Sequence, residues 1–234
     1  MTENTSGKQH YRLSGKRVLV TQAGDFMGPA TVTHFRREGA DVITSDSVLT
    51  DPAAADSIVA SAGVIDVLVV NLASENLYGK TVDQLDDASF ETAFNVMVYP
   101  LHRLVRAVAP QMKERKRGKI IVYGSAVPLR PMARLAAYSA ARGAQISYVK
   151  SVGVELARDN IQCNLIAQNW VENPAYYPPE MQENPKFQAN LTREVPLGRL
   201  ARPEEDTALA VFLASDESDF FVGQAIPFSG GWAS

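Results

Sequence analysis

The sequence has a single cysteine, Cys163, so no disulfide can form within the chain, and that residue reads as a small buried apolar side chain. Its histidines are also few. His10, His34 and His102 are too scattered to form a metal site, and none is expected. No apolar run approaches the roughly 20 residues that a membrane-spanning helix needs. Excess positive charge is missing too: the formal net charge is −3 and the pI near 5.7. That balance argues against a nucleic-acid binder or a protein attracted to anionic membranes. Residues 1–15 are polar and end at Lys16 and Arg17 without the apolar core of a signal peptide. They are expected to form a loose N-terminal tail on a cytoplasmic protein.

What is present is ordinary globular composition, 46% hydrophobic and 21% charged over 234 residues, enough for one domain with a large core. Short β-branched runs alternate with segments of helical spacing. Strands are expected at Arg17–Thr21, Asp41–Ser45, Asp66–Val70, Lys119–Tyr123, Ile161–Ala167 and Gln224–Phe228. Helices are expected at Gly28–Glu38 with Gly39 as C-cap, Asp51–Ala62, Asp87–Lys116, Ala136–Ala157 and from Pro203. Such alternation builds βαβ units, hence an α/β, Rossmann-like, doubly wound parallel sheet in three layers over residues 16–234. Residues 172–194 break the alternation. They are rich in Pro and Asn, hold at most a short helix around Phe187, and read as a lid or substrate loop.

One stretch carries chemistry. In a helix over Ala136–Ala157, Tyr138 and Arg142 lie one turn apart on the same face. A phenol beside a permanently charged guanidinium has its charged form favoured, and the hydroxyl of Ser125 can hold a substrate oxygen. A serine and a tyrosine on adjacent elements are common in cores, however, so alone they also fit a structural role.

Further pieces support the trio: Asp66-Val-Leu-Val with Asn71, Phe94-Asn95-Val96, Gly124-Ser125-Ala126, Pro196-Leu-Gly-Arg199, Phe212-Leu-Ala-Ser-Asp216 and Gly223-Gln…Gly230-Gly231. With them the chain resembles the short-chain dehydrogenase/reductase superfamily over nearly its whole length. It departs from the superfamily's reductases in three places. Their Thr-Gly-x-x-x-Gly-x-Gly turn is Thr21-Gln22-Ala-Gly-Asp25-Phe26-Met-Gly28 here, with a ring and a carboxylate where backbone should approach a pyrophosphate. Arg142 replaces their lysine, and Gln168, Asn169 and Asn173 replace their Pro-Gly and threonine. All three changes are similar to those of the halohydrin dehalogenases, whose Thr-x-x-x-x-Phe/Tyr-x-Gly signature and Ser–Tyr–Arg triad match Thr21, Phe26, Gly28 and Ser125, Tyr138, Arg142.

The resemblance implies a cofactor-independent lyase. Tyr138 takes the proton of a vicinal haloalcohol held by Ser125, Arg142 supports the phenolate, and the alkoxide displaces halide to close an epoxide. In reverse, halide, azide, cyanide or nitrite opens an epoxide. It also implies a halide seat from Phe26, Gln168, Asn169, Trp170 and Val171, with backbone N–H groups around Trp170 and Val171 among the donors. Tyr176, Tyr177 and Phe187 would line the substrate side. Phe26 equally suits packing under the first helix, and Asn169 equally suits a turn cap. Asn71 and Asn95 read as structural hydrogen-bonders. By the same resemblance the partners are a small haloalcohol or epoxide and a small anion. The assembly is a homotetramer formed through the apolar faces of the helices carrying Leu101 and Tyr148, with Trp232 reaching towards a neighbour's pocket. Two other functions compete: an NAD(P)-dependent reductase in which Asp46 bonds an adenosine ribose, and a non-catalytic binding protein.

Overall fold

Val, Ile and Leu at consecutive positions make segments that must be covered on both faces, which a parallel sheet between helices provides. The computed structural model describes residues 11–72, 74 and 79–234; His10 and the rest of 1–10 lie outside them. The sheet is made of β1 (Arg17–Thr21), β2 (Asp41–Ser45), β3 (Val67–Asn71), β4 (Gly118–Tyr123), β5 (Ile161–Gln168) and β6 (Ala225–Phe228). All pairs are parallel, in the order β2-β1-β3-β4-β5-β6. The helices are α1 (Gly28–Arg37), α2 (Ala54–Ala62), α3 (Asp87–Arg115), α4 (Ala136–Ala157), α5 (Pro179–Gln182), α6 (Pro185–Glu194) and α7 (Pro203–Ala214).

Alternate strand residues feed two cores. Leu19, Leu68, Ile120 and Val122 join α2, α3 and α4 on one face. Val18, Val20, Val67, Val69 and Ile121 join α1 and α7 on the other. The result is the expected three-layer, single-domain, Rossmann-like architecture. Among the described residues no helix is long and apolar enough to cross a membrane.

Three local findings adjust the sequence expectations. Residues 11–15 are not a free tail: Leu13 is fully buried, its N–H donates to Glu38 O at 2.9 Å, and Lys16 reaches Asp216 at 2.6 Å. Helix α2 starts at Ala54, not Asp51, because Asp51 Oδ1 accepts from Ala53 N at 2.9 Å and ends the preceding turn. The 172–194 segment is more ordered than a loop, holding the single turn of α5 and the ten-residue α6. Asn184 caps α6 by accepting from Lys186 N, and Pro185 supplies a preset first residue.

The chain leaves β1 for β2 on one side, then crosses to β3 on the other. Between the carboxyl ends of β1 and β3 the loops therefore diverge, which opens the crevice where such sheets bind ligands.

Candidate active site

A cavity of about 420 Å³ opens at that end of the sheet. Its walls come from the turn after β1, the ends of β3, β4 and β5, the start of α4 and the segment leading into α5.

The β1–α1 turn sets its character. Asn71, at the end of β3, donates through Nδ2 to Gln22 O (2.8 Å) and Asp25 O (2.9 Å). Gly24 N–H is taken by Asp46 Oδ1 at 2.7 Å, Asp25 N–H by Gln22 O at 3.2 Å and Gly28 N–H by Asp25 O at 2.8 Å. These are amides that a phosphate-binding turn keeps for its ligand. Gln22 and Phe26 both have left-handed backbones, φ 44° and 49°, strain that such turns normally give to glycine. Gly28 is the glycine that geometry demands, since a Cβ there would run into Gln22 O and Ala23. The Phe26 ring lines the cavity and meets the Tyr176 ring at 5.6 Å. A nicotinamide dinucleotide, which the resemblance to reductases implies, fits this turn poorly: the N–H groups of Gly24, Asp25 and Gly28 are already bonded within the protein, Asp25 adds a negative charge, and Phe26 lines the cavity where those reductases have glycine. Asp46, the candidate ribose ligand, has one oxygen committed to Gly24.

Ser125, Tyr138 and Arg142 line the same cavity. Ser125 is buried, and its Oγ accepts from Val127 N at 3.2 Å, which fixes the rotamer and leaves the hydroxyl proton for a ligand. Tyr138 is half-buried. The Arg142 guanidinium carbon lies 5.2 Å from the centroid of its ring, a cation against an aromatic face. Arg142 is 3% exposed. Its Nη1 donates to Tyr123 O at 3.1 Å and Gln145 Oε1 at 2.9 Å, while Nε has no partner among the described residues.

The end of β5 and the loop after it bring Gln168, Asn169, Trp170 and Val171 to the cavity wall, with corrections in detail. Trp170 N–H is not free for an anion, because it donates to Asn169 Oδ1 at 3.0 Å; Trp170 adopts φ 60° to do so. Asn169 therefore has only its NH2 end left for a ligand. Gln168 Oε1 is buried without a partner, and an acceptor oxygen does not suit a halide. Val171 N–H has no acceptor among the described residues. Asn173, buried and on the wall, spends Oδ1 on Ala175 N at 2.8 Å and likewise keeps its NH2. The Asn-Pro-Ala sequence was a turn signal that pointed to it.

Tyr176 and Tyr177 line the cavity, and Phe187 does not. From α6, Phe187 packs behind the wall against Tyr177 (5.8 Å) and Trp170 (6.4 Å), so its ring is turned into the core. Trp232 is buried in its own chain, where Arg130 covers its ring at 4.9 Å and bonds its carbonyl oxygen at 3.0 Å. It does not reach outwards. Leu101 faces the core, whereas Tyr99 on α3 and Val154 on α4 are exposed. His34 bonds Thr207 at 2.7 Å and His102 faces Tyr148 at 3.3 Å, and no metal-ligand cluster occurs among the described residues. Burial pushes the Cys163 thiol up to about 12, so it is no nucleophile.

Residues 14–233 match the family described as Enoyl-(Acyl carrier protein) reductase. A 2-keto-3-deoxy-L-fuconate dehydrogenase from Xanthomonas campestris pv. campestris is 31% identical over all of this chain and 85% of its own. A 3-oxoacyl-(acyl-carrier-protein) reductase from Thermotoga maritima is 28% identical over 94% of this chain and 98% of its own. A solved structure named "Dehalogenation enzyme" superposes with a TM-score of 0.88 at 34% identity, covering 95% of this chain and 100% of the other. A gluconate 5-dehydrogenase from Burkholderia cenocepacia, solved with NADP and tartrate, gives 0.85 at 25% identity over 95% and 97%.

Proposed function

The chain belongs to the short-chain dehydrogenase/reductase superfamily, and from that premise we propose that it has given up hydride transfer and works as a halohydrin dehalogenase. The observation that carries this is the β1–α1 turn, in which the N–H groups of Gly24, Asp25 and Gly28 are bonded within the protein and Phe26 lines the cavity. The 34% identity with the structure named for dehalogenation supports it.

In the proposed reaction Ser125 donates a hydrogen bond to the hydroxyl oxygen of a vicinal haloalcohol, and Tyr138, as phenolate, takes its proton. The alkoxide oxygen attacks the neighbouring carbon from behind; a C–O bond forms, the carbon–halogen bond breaks, and its electron pair leaves on the halide. Nothing is oxidised or reduced, and the proton on Tyr138 passes to solvent. Arg142, its guanidinium carbon 5.2 Å from the centre of the Tyr138 ring, would support the phenolate with a permanent positive charge. Val171 N–H, the NH2 of Asn169 and the slightly positive edge of Phe26 would receive the halide as weak donors, so that it can leave again. Trp170 acts here through its ring and shape. In reverse, the same seat would hold azide, cyanide or nitrite for epoxide opening. Exposed Tyr99 and Val154 are consistent with pairing through α3 and α4 in a homotetramer, which sedimentation would test.

A nicotinamide-dependent reductase is the second reading, and the names of the family and of its curated relatives weigh towards it. One experiment separates the two. Proton and bromide release from a 1,2-bromohydrin is measured beside a titration with NADH and NADPH. Release without nucleotide binding is expected. Nucleotide binding with ketone-dependent oxidation, and no bromide release, would reverse the order.

A further inference from the structure

Arg142 is an unusual buried cation because nothing among the described residues neutralises it. Among the described residues no carboxylate lies within ion-pair distance. Among the described residues the titratable side chains around the cavity are Tyr123, Tyr138, Tyr176, Tyr177, Arg134 and Arg142, with no Asp, Glu, Lys or His. The Tyr123 phenol points to the other face of the sheet, where it meets Thr31 at 2.9 Å.

What holds the guanidinium is Gln145, three residues on and so on the same helix face. Gln145 is fully buried. Its Oε1 accepts from Arg142 Nη1 at 2.9 Å, and its Nε2 donates to Met97 O of α3 at 2.8 Å. The two partners fix the amide orientation, since a guanidinium only donates and a carbonyl only accepts. At its next turns α4 meets α3 through Tyr148 and His102, which bond each other at 3.3 Å. A carboxylate of the same length at 145 would make a bidentate-capable ion pair with Arg142. The chain instead carries the neutral amide, so the guanidinium is aimed at Tyr138 with its charge unspent.

We propose that Gln145 is a positioning residue that fixes Arg142 against Tyr138 while leaving the arginine's charge free to act on the phenol. This rests on the trio's role in the proposed dehalogenation. One guanidinium nitrogen, Nε, has no partner among the described residues of this buried site, so the bonds to Tyr123 O and Gln145 Oε1 orient the cation without using its full donor capacity.

The test uses Gln145→Glu and Gln145→Met. Glu keeps the length and adds a neutralising charge; Met keeps the length and cannot accept. For Gln145→Glu, the pH midpoint of bromide release from a 1,2-bromohydrin should rise by about one unit, as a nearby opposite charge shifts a titration. For Gln145→Met, kcat should fall about tenfold with KM within about threefold, the pattern of a lost transition-state interaction. Circular dichroism and thermal melting establish that both variants are folded. A second readout needs no turnover: the absorbance of the phenolate, taken as the difference between each protein and its Tyr138→Phe form, should titrate at higher pH in Gln145→Glu. If both folded variants keep the wild-type pH profile, kcat and phenolate titration, the proposal is wrong. If wild type releases no bromide but the phenolate titration still moves, the function assigned above fails and the role of Gln145 stands. A variant that unfolds is replaced by Gln145→Asn, whose shorter amide should lose kcat like Met; unchanged kcat there overturns the proposal as well.

Discussion

Two unpaired ionisable groups are buried on opposite faces of the same sheet, and they meet their burial in opposite ways. Under the cavity, on the α4 face, Arg142 has neutral partners only. On the α1–α7 face, Asp206 is completely buried and neither carboxyl oxygen has a partner among the described residues. Desolvation disfavours charge at both. A carboxyl can escape by keeping its proton, and burial lifts Asp206 to about 8. A guanidinium cannot shed its charge, so Arg142 stays cationic and polarises whatever lies beside it. Tyr123 joins the two sites: its carbonyl accepts from Arg142, and its phenol, raised well above its ordinary range chiefly by burial and then by Asp206, bonds Thr31. The difference teaches that a buried charge becomes functional when its chemistry denies it neutrality and a cavity lies beside it.

The sharpest way to break this contrast is to remove the group that Arg142 acts on. Tyr138→Phe should lower bromide release by about 10³-fold with the fold retained, within the range for a lost general base. Asp206→Asn should leave kcat/KM within about threefold, because Asp206 is not among the residues that line the cavity. Equal losses in the two variants would end the comparison. Arg142→Lys should cost about tenfold to a hundredfold: the charge remains, but the shorter, compact ammonium cannot both meet Tyr123 O and Gln145 Oε1, as Nη1 does, and lay a planar cation against the Tyr138 ring. Steady-state kinetics measure all three.

On the opposite face the effect falls on stability. The folded Asp206 carboxyl sits above its ordinary 3.8, at about 8. Between those values the folded state keeps a proton that the unfolded chain has lost. The stabilisation is therefore complete below pH ~4 and fades as the pH rises towards ~8. From pH 6 to pH 8 the loss is about 2 kcal/mol. Denaturant titration at the two pH values should show this in wild type and not in Asp206→Asn; identical slopes would mean that Asp206 is ionised in the fold. The smallest effect is expected at Phe26→Ala, where loss of the ring edge should weaken product inhibition by bromide about threefold. Stronger inhibition would mean that the ring excludes the anion.

Much of the fold was legible because its signals are local. The runs Arg17–Thr21 and Asp41–Ser45 and the helix Ala136–Ala157 have the bounds that their patterns imply. Within the candidate site, the spacing of Tyr138 and Arg142 and the missing glycines before Gly28 were equally readable. Hydrogen-bond allocation was not. That Trp170 N–H goes to Asn169 Oδ1 depends on the left-handed turn at Trp170, and that Phe187 backs the wall depends on how α6 is rolled against Trp170 and Tyr177. Leu13 looked like tail because a single apolar residue among polar ones has no periodicity to read, yet it packs into the core under α1.

The sequence by itself determined the order of strands and helices, the alternation that forces a parallel sheet, and the residue types at the site, because periodicity and side-chain chemistry act over a few residues. Only the tertiary structure decided which partners those residues take. Gln145 meets the carbonyl of Met97, 48 residues earlier, and Asn71 holds a turn 46 and 49 residues away. Such bonds join elements that only the packed sheet brings side by side, so the burial of Arg142 without a counter-ion, and of Asp206 without any partner, among the described residues emerges from packing and from no local pattern.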